Sequence, residues 1–154
     1  MSYKRPLKLY IAHKLANRKK IKIFTEEIEK EYYVECLNPF YSIKRDEIDI
    51  LDSLKTKEER EQFKRTWTSD ACKTIVETDL GLIDKCDGII AFVEEGVLGT
   101  AMEIQYARLT NKRIFIITTN YFYHPWIRYY ADGLFKNVDE FKKWLKDKGY
   151  ERRK

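Results

Sequence analysis

Short apolar runs alternate with longer amphipathic segments along most of this chain. Residues 7–12, 33–37, 89–93, 113–118 and 134–135 are apolar runs of strand length, which predicts five strands. Residues 14–31, 58–83 and 101–110 repeat apolar positions at helical spacing, with a break expected near residue 68, and a capping pattern at 137–140 opens a last helix. This alternation predicts an α/β fold: a single domain with a roughly five-stranded parallel sheet and helices on both faces, doubly wound in the Rossmann-like or flavodoxin-like manner.

Two stretches depart from the alternation. From Asn38 to about residue 55 the chain shows no clear period, and so long a loop in a compact domain is usually functional or mobile. Its Phe40 and Tyr41 are candidates either for stacking on a base or for covering the core. Residues 121–130 are unusually aromatic, and there we favour a packed cover or a subunit contact over a base-stacking platform.

Length and composition limit the kind of protein. With 154 residues the chain forms one domain, 1–154, with an ordered core at about 7–149 and frayed tails at both ends. A hydrophobic share of 44% and a charged share of 36% are typical of a soluble globular protein. The chain has neither an apolar run near the ~20 residues of a membrane span nor the apolar core of a signal peptide, so we expect no membrane partner and a cytoplasmic location.

The cysteines and charges exclude several classes of function. Cys36, Cys72 and Cys86 are an odd, scattered set, which predicts reduced, buried thiols instead of disulfides, and only two histidines are available for a metal site. The formal charge of +5 combines 30 basic with 25 acidic side chains. This excess of positive charge either belongs to a solvated surface or favours a phosphorylated substrate. The basic residues form no stripe interleaved with aromatic residues, so we expect no nucleic-acid partner.

Glu103 is the most informative polar residue of the chain. It follows the apolar run 88–93 and a glycine-containing turn, which predicts a carboxylate in the first turn of a helix, at the carboxyl end of a strand. Open α/β sheets bind ligands at that edge, and a helix N-terminus lowers the pKa of a carboxylate. The spacing Thr100-x-x-Glu103 is also that of a capping box with Thr100 as the N-cap. Spacing alone leaves both interpretations open.

Three segments, taken in order, resemble the nucleoside 2-deoxyribosyltransferase family. They are LKLYIA at 7–12, TDLGLIDKCDGIIA at 78–91 and GTAMEIQYA at 99–107, and the resemblance extends from about residue 7 to 117. That family also contains hydrolases of deoxynucleoside 5′-monophosphates. The resemblance implies cleavage of an N-glycosidic bond with neither metal nor cofactor. By it Glu103 matches the nucleophile, Asp79 the carboxylate that handles the leaving base, and Tyr10 the phenol that positions the nucleophile.

These roles are chemically sufficient for the reaction. Two carboxylates with different pKa values can divide the labour of attacking the sugar and protonating the base, as in retaining glycosidases. Asp79 has a competing interpretation, because Glu77, Asp84 and Asp87 surround it in sequence and all four could line a solvated helix face.

The chain departs from the family at the positions that recognise substrate. His13 and Lys14 replace a glycine-rich turn, Val97 replaces an Asp that holds the sugar 5′-hydroxyl, and Gln105 replaces a Gly. Lys14 and Arg18 could hold a 5′-phosphate in place of that hydroxyl, or could simply be solvated on a helix face. The residues expected to bind substrate are His13, Lys14, Arg18, Phe40, Tyr41, Val97, Gly99 and Thr100.

Three functions follow from the sequence. The first is transfer of deoxyribose from a deoxyribonucleoside to another base through a covalent glutamyl-sugar intermediate, which makes a nucleoside or nucleotide and a free nucleobase the partners. The second is hydrolysis of nucleoside 5′-monophosphates, in which water replaces the acceptor base. The third is a non-catalytic nucleotide-binding or sensing module. In each case we expect a homo-oligomer, a dimer or higher.

Overall fold

In the computed structural model, which describes residues 5–41 and 46–153, five strands form one parallel sheet. They are β1 (Leu7–Ala12), β2 (Val34–Leu37), β3 (Gly88–Phe92), β4 (Arg113–Ile117) and β5 (Gly133–Phe135). Their order is β2-β1-β3-β4-β5, and each neighbouring pair runs parallel. The chain moves from β1 to one edge of the sheet, returns to β3 and continues to the other edge. This is the single, doubly wound α/β domain that the apolar pattern predicts.

Seven helices accompany the strands in the described part of the chain. They are α1 (Arg18–Glu31), α2 (Asp46–Ser53), α3 (Lys57–Arg65), α4 (Ser69–Asp84), α5 (Leu98–Leu109), α6 (Pro125–Tyr130) and α7 (Val138–Asp147). A 3₁₀ turn at Leu15–Asn17 precedes α1. None of these helices has the length and apolar character that crossing a membrane requires.

The sheet separates two apolar layers. On the α1/α7 face, residues such as Leu9 and Ile11 of β1 pack with Ile28 and Phe141. Side chains alternate along a strand, so Tyr10 of the same strand points to the opposite side. There it belongs to a second layer formed with α4 and α5, which we call the α4/α5 face. Helices therefore cover both faces, as a parallel sheet requires.

Asp87 fixes the junction between α4 and β3 to the start of β1. Its Oδ2 accepts a hydrogen bond from the Lys8 backbone N–H at 2.9 Å, and Arg5 donates to its Oδ1 at 2.6 Å. Partial burial acts to raise the pKa of Asp87, but these two hydrogen bonds and the Arg5 charge outweigh it and lower the pKa below 3.8. Beside it, Gly88 packs so closely on β4 that a Cβ atom there would lie 2.5 Å from the Arg113 carbonyl oxygen.

Several expectations about local structure are wrong. Residues 46–53 form helix α2, with Leu51 buried, whereas no regular structure is expected there from the sequence; residues 42–45 of that loop lie outside the described residues. Cys72 is exposed and Cys36 half-buried, so only Cys86 is the fully buried thiol expected of all three.

The C-terminal segment packs on the domain instead of fraying after residue 149. Tyr150 is buried, and Arg152 donates through Nε to the carbonyl oxygens of Glu29 and Tyr32 at 2.9 and 3.0 Å. These contacts tie the end of the chain to α1 and to the start of β2. Residues 1–4 and 154, the outermost parts of the two tails, lie outside the described residues.

Candidate active site

The carboxyl ends of β1 and β3 lie side by side, where the connections diverge toward opposite edges of the sheet. Ala12 at the end of β1 pairs with Ala91 of β3. In doubly wound sheets this divergence leaves a crevice that binds ligands. Residues His13 and Lys14 follow β1, and residues 93–97 join β3 to α5. Of the sequence-predicted site residues, His13, Lys14 and Val97 lie in these two loops.

Glu103 is not a capping residue. Helix α5 begins at Leu98, its N-cap is Val97, and no side chain caps that end. Thr100 is the third residue of the helix and is buried, so the capping-box interpretation is wrong. Glu103 consequently lies in the second helical turn, and the expectation of a first-turn carboxylate is wrong as well. Because the effect of a helix N-terminus falls off within the first turn, a second-turn position does not support the expected lowering of the Glu103 pKa by the helix.

Glu103 lies on the inner side of α5. It follows Thr100 by three residues and precedes Ala107 by four, and both of those residues are buried against the sheet. Residues three and four apart share a helix face. The Glu103 side chain is half-buried, and its Oε2 atom is itself buried. The Glu103 carboxylate faces the sheet and does not cap the helix. A partly buried polar group of this kind requires a functional explanation.

Asp79 differs from the other acidic residues near it. It is half-buried and precedes Leu82 and Ile83, which are buried against the sheet, by three and four residues. Glu77 is exposed and faces Lys73, while Asp84 is exposed and accepts a hydrogen bond from the Tyr106 hydroxyl at 2.7 Å. The solvated helix face therefore contains Glu77 and Asp84, whereas Asp79 lies on the side of α4 that faces the sheet.

Tyr10 completes this group of three. Its side chain is fully buried on the α4/α5 face, together with its hydroxyl oxygen. Helix α4 contacts both β1 and α5. The fold thus brings Tyr10, Asp79 and Glu103, which are far apart in sequence, to one side of the sheet. A phenol and two carboxylates can supply a hydrogen-bond donor, a nucleophile and a proton carrier.

Lys14 reaches the loop that precedes α5. A Cβ atom at Gly96 would lie 3.7 Å from the Lys14 Nζ atom, so the ammonium group lies against that loop. Gly96 itself has a φ of +73°, a conformation that glycine adopts without strain. The next residue is Val97, which is half-buried against the α4/α5 core. The Lys14 ammonium group therefore lies beside Gly96, the residue that precedes Val97.

Arg18 has a different environment from Lys14. It forms an ion pair with Asp52 of α2, and its Nη1 donates to the Leu15 carbonyl oxygen at 3.3 Å. Its side chain is only 15% exposed. The structure places this guanidinium between α1 and α2, so its predicted contact with phosphate would require it to leave Asp52.

His13 joins the loops that follow β1 and β2. Its Nδ1 lies 2.8 Å from the Lys14 carbonyl oxygen, and its Nε2 lies 3.2 Å from Asn38 Oδ1. The His13 and Phe40 rings pack edge to face, with their centres 4.9 Å apart. Burial lowers the pKa of His13 below 6.5, although both hydrogen-bonded neighbours act to raise it. The Phe40 backbone N–H also donates to Asn38 Oδ1, at 3.0 Å. Asn38 was not among the predicted site residues, although its position between a strand and Pro39 is a signal for a turn-forming side chain.

The remaining predicted positions are more exposed. Tyr41 is 42% exposed, and the Lys22 Nζ atom lies 4.9 Å from the centre of its ring. Gly99 is exposed in the first turn of α5, with open space around it. Gln105 is exposed on the outer side of the same helix, so its departure from the family pattern lies away from the three inward groups. Within the described residues no group of three potential ligands could hold a metal ion.

Comparisons with known proteins support only broad statements. No model of a known protein family matches the chain, and no curated protein sequence matches it either. Among solved structures, the Clostridium botulinum CMP N-glycosidase BcmB is similar to this chain, with 18% identity and a TM-score of 0.48 over 90% of this chain and 98% of that chain. At that identity and TM-score, the similarity does not carry the neighbour's activity over to this chain.

Proposed function

We propose that this protein cleaves the N-glycosidic bond of a nucleoside 5′-monophosphate through a covalent intermediate on Glu103. The observation that supports this most strongly is that Glu103, Asp79 and Tyr10 all lie toward the α4/α5 face of the sheet. The motifs that resemble the deoxyribosyltransferase family contain the same three residues. These roles would explain why Glu103 and Asp79 lie inward although Glu77 and Asp84 of α4 are exposed to solvent.

The first step of the reaction forms an ester. An oxygen of the Glu103 carboxylate attacks the anomeric carbon while the bond from that carbon to the base nitrogen breaks. The bonding electron pair leaves with the nitrogen, which takes a proton from the Asp79 carboxylic acid. We assign to the Tyr10 hydroxyl the task of orienting the Glu103 carboxylate during the reaction, and a hydrogen bond donated to that carboxylate would favour its ionised form. The products of this step are the free base and a glycosyl ester of Glu103.

The second step releases the sugar. The Asp79 carboxylate, now ionised, takes a proton from water as the water oxygen attacks the anomeric carbon. The bond between that carbon and the ester oxygen breaks, which returns the Glu103 carboxylate and the protonated Asp79. The same intermediate could instead be attacked by a second base. Transfer therefore remains the alternative function, and it differs from hydrolysis only in the acceptor.

The position of Lys14 favours a phosphorylated substrate. Its ammonium group lies against the loop before α5, in which Val97 itself carries no charge. Of the two carboxylates in that loop, Glu94 accepts a hydrogen bond from the Asn17 side chain and Glu95 is exposed to solvent. A cation near a phosphate forms charge-assisted hydrogen bonds, whereas a carboxylate there would select against the phosphate. The free nucleoside is expected to be the poorer substrate.

A product analysis tests this function. The protein is incubated with ribo- and deoxyribonucleosides and their 5′-monophosphates, with and without a second free base, and the products are separated. We expect a free base and a sugar phosphate. Formation of a new nucleoside would establish transfer, and absence of any product across the panel would contradict both enzymatic functions and favour a binding module.

Glu103→Gln provides the control for that assay. It keeps the size of the side chain and removes the nucleophile, so turnover should fall by at least about 10³-fold. Glu77→Gln makes the same change on the solvated face of α4 and should leave turnover within about twofold. If the two variants lost activity equally, the proposed role of Glu103 would be wrong.

A further inference from the structure

A cavity lies at the carboxyl ends of β3 and β4, on the α1/α7 face of the sheet. It has a volume of about 320 Å³, and its apolar floor includes Phe92, Ile117 and Val138. Its walls come from the start of α1, the loops that follow β3 and β4, and the loop before α7. We call it the β3–β4 cavity. The three proposed catalytic residues are not among those that line it, so it is separate from the candidate active site.

A half-buried carboxylate lines the β3–β4 cavity. It belongs to Glu94, whose Oε1 accepts a hydrogen bond from Nδ2 of Asn17, the residue that precedes α1. A carboxylate can accept about four hydrogen bonds, so the contact with Asn17 leaves acceptor sites for a ligand. In α/β folds that bind nucleotides, an acidic side chain commonly accepts a hydrogen bond from a sugar hydroxyl. Glu94 therefore favours a ligand that carries hydroxyl groups.

Amide and hydroxyl groups provide the other polar contacts in the β3–β4 cavity. Asn137 Oδ1 accepts a hydrogen bond from the Glu140 backbone N–H at 2.9 Å, which leaves its Nδ2 group as a donor. Thr119 Oγ1 donates to the Lys136 carbonyl oxygen at 3.1 Å, so the lone pairs of that hydroxyl can accept. Asn120 contributes a further amide. The cavity therefore offers both donors and acceptors, which matches a sugar because each of its hydroxyl groups both donates and accepts.

Two lysines give the β3–β4 cavity a positive charge. Lys20 in the first turn of α1 and Lys136 before α7 line it from different walls, and both are exposed. The first turn of α1 contains no acidic residue. Asp139 and Glu140 lie in the first turn of α7, but neither lines the cavity, and the Glu140 carboxylate accepts a hydrogen bond from the Lys136 backbone N–H at 2.7 Å. Two cations against the one carboxylate of Glu94 favour an anionic ligand, and a phosphate group forms charge-assisted hydrogen bonds with lysines.

We propose that the β3–β4 cavity binds a sugar phosphate, with the sugar hydroxyls on Glu94 and the amides, and the phosphate between Lys20 and Lys136. The Lys136 Nζ atom also lies 5.0 Å from the centre of the Phe122 ring, a contact that uses none of its three N–H donors. A volume of about 320 Å³ is at the lower end for ligand sites, which suits a monosaccharide phosphate. This site goes beyond the proposed reaction, because binding there needs neither turnover nor the three catalytic residues.

A nuclear magnetic resonance titration of the full chain, labelled with ¹⁵N, tests this proposal. The probes are ribose 5-phosphate, ribose and inorganic phosphate, each added up to about 10 mM. With ribose 5-phosphate we expect shifts of the side-chain amide signals of Asn17 and Asn137 and of the Thr119 backbone signal, with a Kd below about 1 mM. Ribose alone and phosphate alone should each bind at least about tenfold more weakly, because each makes only part of the contacts.

Three outcomes of the titration would overturn the proposal. The first is the absence of any shift with ribose 5-phosphate. The second is a set of shifts confined to the surroundings of Tyr10 and Glu103, which would assign the sugar phosphate to the candidate active site. The third is equal affinity for inorganic phosphate and ribose 5-phosphate, which would mean that the sugar is not recognised.

Variants separate the two halves of the ligand. Lys20→Ala should weaken ribose 5-phosphate and inorganic phosphate alike, by about tenfold. Glu94→Gln should weaken only ribose 5-phosphate, since it removes the charged acceptor of the hydroxyls and a charge that repels phosphate. Lys30→Ala is the matched control, because Lys30 is an exposed lysine about 15 Å further along α1. An equal loss of affinity in Lys20→Ala and Lys30→Ala would contradict the site.

Glu103→Gln distinguishes this proposal from the enzymatic one. The variant should bind ribose 5-phosphate in the β3–β4 cavity as tightly as the unmodified protein does, since Glu103 does not line that cavity. A loss of binding in Glu103→Gln would overturn the β3–β4 site. A protein that binds ribose 5-phosphate there but turns over no nucleotide would contradict only the proposed reaction.

Discussion

The two faces of the sheet differ in where they place polar and apolar side chains. On the α1/α7 face the interior is apolar and the exterior is charged, as in the ion pair between Lys142 and Glu27 at 3.3 Å. On the α4/α5 face Asp79 and Glu103 are half-buried inside, while Leu98 and Met102 are exposed outside. Buried polar groups and exposed apolar patches are the informative exceptions to ordinary packing. We therefore expect stability to depend mainly on the first face and the proposed function mainly on the second.

Among the variants that distinguish the two faces, we expect the largest change in activity from Asp79→Asn, on the α4/α5 face. This variant cannot supply the proton to the leaving base, so kcat should fall about 10²–10⁴-fold on bases that leave poorly and much less on activated ones. The unfolding free energy should change little. Steady-state rates across substrates of graded leaving ability measure this dependence. A loss that is uniform across the series would indicate a structural role for Asp79 instead.

Phe141→Ala should have the opposite consequence. Phe141 is fully buried on the α1/α7 face and contacts the rings of Phe115, Phe135 and Trp144. Its truncation should lower the unfolding free energy by about 3–5 kcal/mol, as urea denaturation would measure, and leave kcat of the folded protein unchanged. Ile23→Ala, on the exposed side of α1, should change stability by less than about 0.5 kcal/mol. A large loss of kcat in folded Phe141→Ala would end the division between the two faces.

A smaller effect is expected at the loop before α5. Lys14→Ala should raise KM for a 5′-monophosphate about tenfold and leave the free nucleoside unaffected, since it removes one charge-assisted contact. Added salt should reduce the difference between the unmodified protein and the variant, because partly exposed charges are screened over about 8–10 Å. Lys30→Ala, an exposed lysine of α1, is the control. Equal KM changes for both substrates would contradict a phosphate contact at Lys14.

The smallest effect concerns the pH dependence of stability. The pKa of His13 is lowered by burial from 6.5, so below pH 6.5 the unfolded chain binds a proton that the folded protein does not. The contribution of His13 to the unfolding free energy should therefore fall as the pH falls, by at most about 1.4 kcal/mol per unit, until the folded pKa is reached. The Asp87 carboxylate does not contribute to the pH dependence of stability between pH 5 and 8, because its pKa is lowered from 3.8 and it stays ionised in that range. Denaturation of His13→Gln should show this pH dependence reduced, and an unchanged dependence would assign it to other groups.

The fold was predictable because apolar runs of strand length alternate with helical periodicity. The errors arose where local signals mislead. Residues 46–53 combine acidic and apolar residues too briefly to show a period, and α2 owes its position to tertiary contacts such as the burial of Leu51. Helix α5 begins at Leu98 although Gly99 suggests a turn, and that difference moved Glu103 from the first helical turn to the second.

The roles of the candidate site residues stay predictions, whereas the environments of these residues can be compared with what the sequence indicates. The motifs identified Tyr10, Asp79 and Glu103, which the fold brings to one side of the sheet. The ion pair of Arg18 with Asp52 joins elements that are distant in sequence, and no local pattern indicates such a pair. The contact of Asn38 with His13 is likewise not indicated by any local pattern, because it depends on the pairing of β1 with β2.

Mass spectrometry of the protein quenched during turnover tests the central claim most directly. The account predicts a glycosyl adduct on the peptide that contains Glu103, formed with the substrate identified by the product analysis and absent from Glu103→Gln. The adduct should accumulate in Asp79→Asn supplied with an activated substrate, because that variant forms the ester but cannot activate water to break it. An active protein with its adduct on another residue, or full activity in Glu103→Gln, would contradict the account.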